Sequence, residues 1–353
     1  MKILKYLLFL LLIAVIGFSV FIGTKDSSFH VSSTKSMQIP VSLAFEQIND
    51  LKNWQKWGPW MVYDPNLKMT FEEITVGANA GYSWQSTILG EGTVKTIAVS
   101  ENDSIFQKIH FVDSENQMYW KLDPTENTTT TVTWGMMGEL TFKQKVTQFF
   151  KKEKHTSTLK EMLEMGLDNI EAGVQEEMKK YTITVEGIKD YGGGYYLFTT
   201  MASNTKELGA KMGIMLGKVA SFMEQNNIPQ SGMPFTIYNE WDDVNETTIF
   251  TTAIPVSEKM IITEGDVLCG FMEPLTAVKI VLKGNYLNLP ETYKAGEEYI
   301  LDNKLVKDPT HKMFEVYTND PGTIPNPAQW ETHVYIPVFK DLRIDNFLIE
   351  RNP

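Results

Sequence analysis

Thr248-Ile249-Phe250-Thr251-Thr252-Ala253-Ile254-Pro255-Val256 and His333-Val334-Tyr335-Ile336-Pro337-Val338 both end in Ile-Pro-Val, 82 residues apart. Their β-branched and aromatic content suits strands, and recurrence of so particular a strand end at a long period points to internal duplication. Ahead of the first lie strand-like runs from Thr182 to Gly187 and from Tyr195 to Met201. A helix of roughly residues 204–225 follows, with Leu208, Met212, Met215, Val219, Phe222 and Met223 on one face, and then Phe235-Thr236-Ile237-Tyr238. Ahead of the second lie a strand over Ala277 to Leu282, a helix beginning near Pro290, and Phe314-Glu315-Val316-Tyr317. A β-α-β-β order thus occurs twice, which predicts a tandem duplicated domain over residues 181–344 and a short tail over 345–353.

The preceding segment reads differently. Phe29 to Ile39 has strand character, Pro40 opens a short helix from Val41 to Leu51, and six strand-like runs follow: Leu67 to Ile74, Ala80 to Thr87, Gly92 to Val99, Ser104 to Val112, Gln117 to Leu122 and Thr128 to Met136. Gly, Asn, Asp and Pro clusters separate them, as in antiparallel hairpins. A long helix then runs from Ser157 to Lys180, with Leu159, Met162, Leu163, Leu167, Ile170, Val174 and Met178 in one stripe. The expected fold is α+β, a curved antiparallel sheet closed by one long helix over residues 29–180.

Residues 1–28 form the N-terminal segment. Tyr6 to Gly23 carries no charge, and eighteen helical residues reach ~27 Å, close to the hydrocarbon thickness of a bilayer. A cleaved signal peptide is the rival, but the apolar run is long for that class and continues past Gly17-Phe18-Ser19 into Val20-Phe21-Ile22. The expectation is a single-pass anchor in the cytoplasmic membrane. Lys2 and Lys5 keep the N-terminus inside and leave the soluble domains on the outer, periplasmic side.

The order strand, short helix, six strands, long helix resembles the START-related SRPBCC, or polyketide-cyclase-like, superfamily. Its carriers are Asp50-Leu51-Lys52-Asn53-Trp54-Gln55-Lys56-Trp57-Gly58-Pro59-Trp60 and the Gly166-Leu167-Asp168-Asn169-Ile170 core of the long helix. The resemblance implies a helix-grip domain with an apolar cavity between sheet and helix. The second half resembles the GyrI-like, bacterial transcription-activator effector-binding domain, an SH2-like duplicated fold. Its carriers are Gly232-Met233-Pro234-Phe235, Gly284-Asn285-Tyr286-Leu287-Asn288-Leu289, and Trp330 shortly before Ile336-Pro337-Val338. That resemblance implies a small-molecule pocket between the two halves.

Charge and composition limit the function. With 32 Lys and Arg against 44 Asp and Glu the net charge is −12, which repels phosphate backbones and argues against nucleic-acid binding. One cysteine, Cys269, excludes an intramolecular disulfide, and its apolar neighbours suggest a buried small hydrophobe. The five histidines lack metal-ligand spacing, so neither metal nor cofactor is expected. Gly192-Gly193-Gly194 suggests a hairpin or bulge, and the basic run 151–155 a solvated face.

Six of the eight tryptophans lie in the first domain. Trp57, Trp84 and Trp120 are the candidate cavity residues, against plain core packing. In the second domain Tyr238, Trp241, Phe271, Tyr317, Trp330 and Tyr335 are candidate aromatic walls. Domains of the GyrI-like type carry a glutamate near the end of the final strand, where this chain has His333. Glu331, two residues earlier, points to the same side, and the two are the candidate acid/base pair. The expected function is a membrane-anchored protein that binds or senses a small apolar or amphipathic ligand. A hydrolase of small electrophiles and a lipid-binding or lipid-transfer protein are the alternatives.

Overall fold

The computed structural model describes residues 2–111, 114–125, 129–150, 155–263 and 265–343. The expected tail over 345–353 and most of the basic run, 151–154, lie outside them. The chain divides into two compact units, Met1–Glu177 and Met178–Pro353, and both are mixed α and β with an antiparallel sheet.

The first unit begins with α1 (Lys2–Gly23), whose apolar side chains are exposed along most of its length, whereas Ile22 at its end is buried. Among the described residues it is the one helix long and apolar enough to cross a membrane. Next come β1 (Ser28–Met37), α2 (Val41–Asn49), the single turns α3 (Trp54–Trp57) and α4 (Trp60–Tyr63), β2 (Lys68–Phe71), β3 (Gly81–Ser86), β4 (Gly90–Ser100), β5 (Ser104–Phe111), β6 (Ser114–Pro124) and β7 (Thr130–Glu139). These seven strands form one antiparallel sheet in the order β1-β7-β6-β5-β4-β3-β2. The sheet therefore runs in sequence order except that β1 joins the far edge beside β7. Two helices follow, α5 (Phe142–Phe150) and α6 (His155–Met178).

The stripe of α6 buries Leu163, Leu167, Ile170 and Val174. Gly166 sets how closely the helix approaches, since a Cβ there would stand 2.4 Å from the Trp134 ring of β7. α5 was not expected from the sequence. Its nine residues are a short window for a helical period, and none of its side chains is fully buried.

The second unit comprises β8 (Thr182–Tyr191), β9 (Gly194–Asn204), α7 (Leu208–Gln225), β10 (Phe235–Asp242), β11 (Thr247–Val256), β12 (Leu268–Met272), β13 (Leu275–Lys283), α8 (Leu289–Asp302), β14 (Leu305–Lys307), β15 (Phe314–Tyr317) and β16 (Glu331–Arg343). Its sheet has the order β12-β9-β11-β10-β15-β16-β13-β8, with β14 added to β16. Strands β8 and β12, which precede the two β-α-β-β segments, are exchanged: β8 pairs with β13 and β12 with β9.

Gly192 and Gly193 therefore link two strands that do not pair with each other, which is not a hairpin. Gly193 has a φ of +65°, and a Cβ there would lie 2.1 Å from the Met272 carbonyl oxygen, so only glycine fits. Cys269 is half-buried rather than buried, because β12 is an edge strand.

β10 and β15 meet at the centre of the sheet, with Phe235 opposite Val316, Thr236 opposite Glu315 and Ile237 opposite Phe314. Phe235 pairs with Ala253 and Phe314 with Tyr335, the residues immediately before the two Ile-Pro-Val ends. By register, Glu315 therefore occupies the position that Thr236 holds in the first segment, and Tyr317 that of Tyr238. α8 packs through Ile300 on Val334 and Ile336, and α7 through Val219 and Met223 on Leu197 and Ile254. Thr236 and Glu315 lie on this helix-covered face. Phe235, Phe314 and Tyr335 form a separate core on the other.

Candidate ligand-binding sites

Strand alternation in β15 puts Phe314 and Val316 into the core and sends Glu315 and Tyr317 to the helix side. Glu315 is only 1% exposed. The Tyr293 hydroxyl, from α8, donates to one carboxylate oxygen at 2.9 Å, and the Tyr317 hydroxyl donates to the other at 2.9 Å. The Tyr238 hydroxyl also interacts with this carboxylate.

Among the described residues no Lys, Arg or His pairs with it. Burial raises the pKa of Glu315, and the hydroxyls of Tyr293, Tyr317 and Tyr238 partly counter that effect. The same burial, reinforced by the charge of Glu315, holds Tyr238, Tyr293 and Tyr317 well above the ordinary phenol range, so all three remain donors.

Two aromatic arcs extend from this centre. Trp241 lies edge-on to Tyr238 at 5.5 Å. On the other side Tyr286 lies 5.7 Å from Tyr317 and 4.8 Å from Trp330, and burial pushes the Tyr286 phenol up to about 12. Tyr238 also lines an open groove of about 970 Å³ shared with Trp241, Asp242, Lys307, His311 and Lys312.

Tyr238, Trp241, Tyr317 and Trp330 are thus brought around one centre. Neither that centre, Glu315, nor Tyr293 or Tyr286 is marked out by the sequence pattern. The other candidates lie elsewhere. Tyr335 is packed between Tyr191 and Phe314 in the opposite core. Phe271 is 47% exposed and lies tilted against Tyr195 at 4.7 Å. Glu331 and His333 do meet, His333 Nε2 lying 2.9 Å from Glu331 Oε1. They alternate with Thr332 and Val334, which puts them on the face away from Glu315 and the helices.

The first unit encloses an apolar cavity of about 320 Å³, near the lower end of the range for small-molecule pockets. Trp54, Trp60, Tyr82, Trp84, Phe111 and Trp134 supply aromatic walls. Of the expected residues Trp84 lines it. Trp120 stands behind, stacked on Trp134 at 4.3 Å, its N–H donated to Gln107. Trp57 is also buried, its N–H donated to the Gln47 carbonyl. Trp60 and Trp134 leave their buried indole N–H groups without a partner among the described residues. Polar residues gather at one end of the cavity, where Ser114, Asn116, Glu139, Gln144 and Thr158 take part in the lining.

No family model and no curated protein matches the chain. Solved structures do match in part. EcmrR in complex with DNA is 18% identical over 57% of this chain and 78% of that one, with a TM-score of 0.40. The C-terminal domain of EcmrR is 17% identical over 45% of this chain and 98% of that one, with a TM-score of 0.38. A protein from Mesorhizobium loti is 12% identical over 42% of this chain and 98% of that one, with a TM-score of 0.32.

Proposed function

We propose that this is a membrane-anchored small-molecule-binding protein whose second unit, read as a GyrI-like effector-binding domain, takes amphipathic cations at Glu315. The observation that carries this reading is a buried carboxylate with three phenol donors and no counter-ion among the described residues. Burying a carboxylate is costly unless it is paired, and a ligand cation supplies the missing charge. The faces of Tyr238, Tyr286 and Trp330 add cation–π attraction, and the groove beside Tyr238 gives a route in. The helix α1 is read as the anchor, and the apolar cavity of the first unit as a second site for uncharged apolar ligands.

Charge selectivity tests the reading. In thermal-shift measurements on the full chain, rigid aromatic cations are expected to raise the Tm, whereas neutral and anionic analogues of the same shape leave it unchanged at the Glu315 site. Equal shifts from all three, surviving in Glu315→Gln, would contradict it.

The 2.9 Å contact between Glu331 and His333 favours a second reading, hydrolysis of a small electrophile with this pair as base and orienting partner. Any turnover is then expected to vanish in the Glu331→Ala/His333→Ala double variant. Turnover unchanged in that variant would remove this reading.

A further inference from the structure

We infer that α5 lies in the surface of the membrane that α1 spans, with its phenylalanine stripe in the boundary between headgroups and acyl chains. This rests on the reading of α1 as a membrane span. Phe142, Val146, Phe149 and Phe150 recur at four, three and one residues, which gathers them on one side of the helix. That side is left half or more uncovered: Phe142, Phe149 and Phe150 are 50%, 52% and 72% exposed.

The stripe is continuous with α1. The Phe149 ring lies 5.4 Å from Phe18 and 6.0 Å from Phe21, and Phe150 lies 5.7 Å from Phe18. Phe18 and Phe21 lie ~8 Å and ~3 Å below the end of the uncharged run at Gly23, so the α5 contact falls at the depth to which an interfacial helix buries its apolar face.

The charges sit at the matching level. Lys145 of α5 donates to the Lys25 carbonyl at 2.6 Å, and the Lys25 ammonium stands 4.6 Å over the Phe21 ring. Exposed aromatics beside lysines at the end of an apolar span are what an interfacial helix presents to a bilayer. Gln144, on the side of α5 opposite the stripe, lines the polar end of the first unit's cavity. A bilayer-bound α5 therefore holds that end of the cavity next to the membrane surface.

The test uses the full chain carrying Cys269→Ser, with an environment-sensitive fluorophore on Phe150→Cys or, separately, on Thr147→Cys, reconstituted in phosphatidylcholine vesicles. At position 150 the expected result is a blue-shifted emission, at least twofold quenching by a nitroxide on the upper acyl chain, and protection from aqueous cobalt. At position 147 aqueous cobalt is expected to quench more than the lipid nitroxide. A label at 150 that cobalt quenches and the lipid nitroxide does not would overturn the inference. Alkaline extraction of the same vesicles separates the two failures. A chain that stays in the membrane with a water-exposed position 150 refutes the interfacial helix alone, and a chain that is released refutes the span and the helix together.

Discussion

Glu315 is a structural liability and, in the proposed reading, a binding group, and pH separates the two roles. Its carboxyl has a pKa raised above the ordinary 4.5 by burial, so the folded chain holds the proton more tightly than the unfolded chain. The favourable contribution is complete below the unfolded value and is lost as pH rises through the folded value. Glu315→Gln removes that loss. Its Tm relative to the parent chain is expected to increase as pH rises across this window, measured by thermal unfolding of both chains from pH 4 to 8. Cation binding follows the opposite course, because it requires the ionised carboxylate, so affinity is expected to fall as pH is lowered. Tyr317→Phe deletes one of the donors that favour the ionised form. It is expected to weaken cation binding by roughly ten- to a hundredfold, the worth of one hydrogen bond to a charged group, measured by titration at fixed pH. Glu315 was not legible in the sequence. Phe314-Glu315-Val316-Tyr317 reads as an ordinary alternating strand, whose glutamate belongs on a solvated face. Only the packing of α8, which brings Tyr293 over that face, makes the residue exceptional.

Helices and strands were more legible than sites. The seven strands of the first sheet and its long helix follow from period-two and period-3.6 patterns with turn residues between them, since each element buries one face. The tryptophans were less legible: whether an indole faces a cavity or stands behind its wall depends on the pairing of β6 with β7, which sets Trp120 opposite Trp134. Two substitutions test this packing. Gly166→Val pushes α6 off the Trp134 ring and is expected to cost about 1–3 kcal/mol, the usual penalty for overpacking. Trp120→Ala empties a fully buried site behind the cavity and is expected to cost about 3–5 kcal/mol. Chemical denaturation of the full chain measures both. A loss below about 0.5 kcal/mol in either variant would contradict the arrangement of helix and sheet around the cavity.

At the scale of the whole molecule, charge and apolar surface divide the work. A chain with net charge −12 is repelled by anionic lipid, so in the proposed reading it is apolar contact through α1, not overall charge, that holds it to a membrane. The repeated Ile-Pro-Val ends announced two related halves in the second unit, and by register those halves present Thr236 and Glu315 at equivalent positions. The proposed binding centre thus lies where the two segments differ, which a search for repetition does not reveal. Isothermal titration of the full chain with tetraphenylphosphonium at neutral pH tests this centre most directly, with Glu315→Gln and Trp84→Ala chains alongside. The account predicts saturable binding that weakens at least tenfold in Glu315→Gln and is unchanged in Trp84→Ala. Binding of equal strength in the parent and Glu315→Gln chains, or no binding by the parent chain, would contradict it.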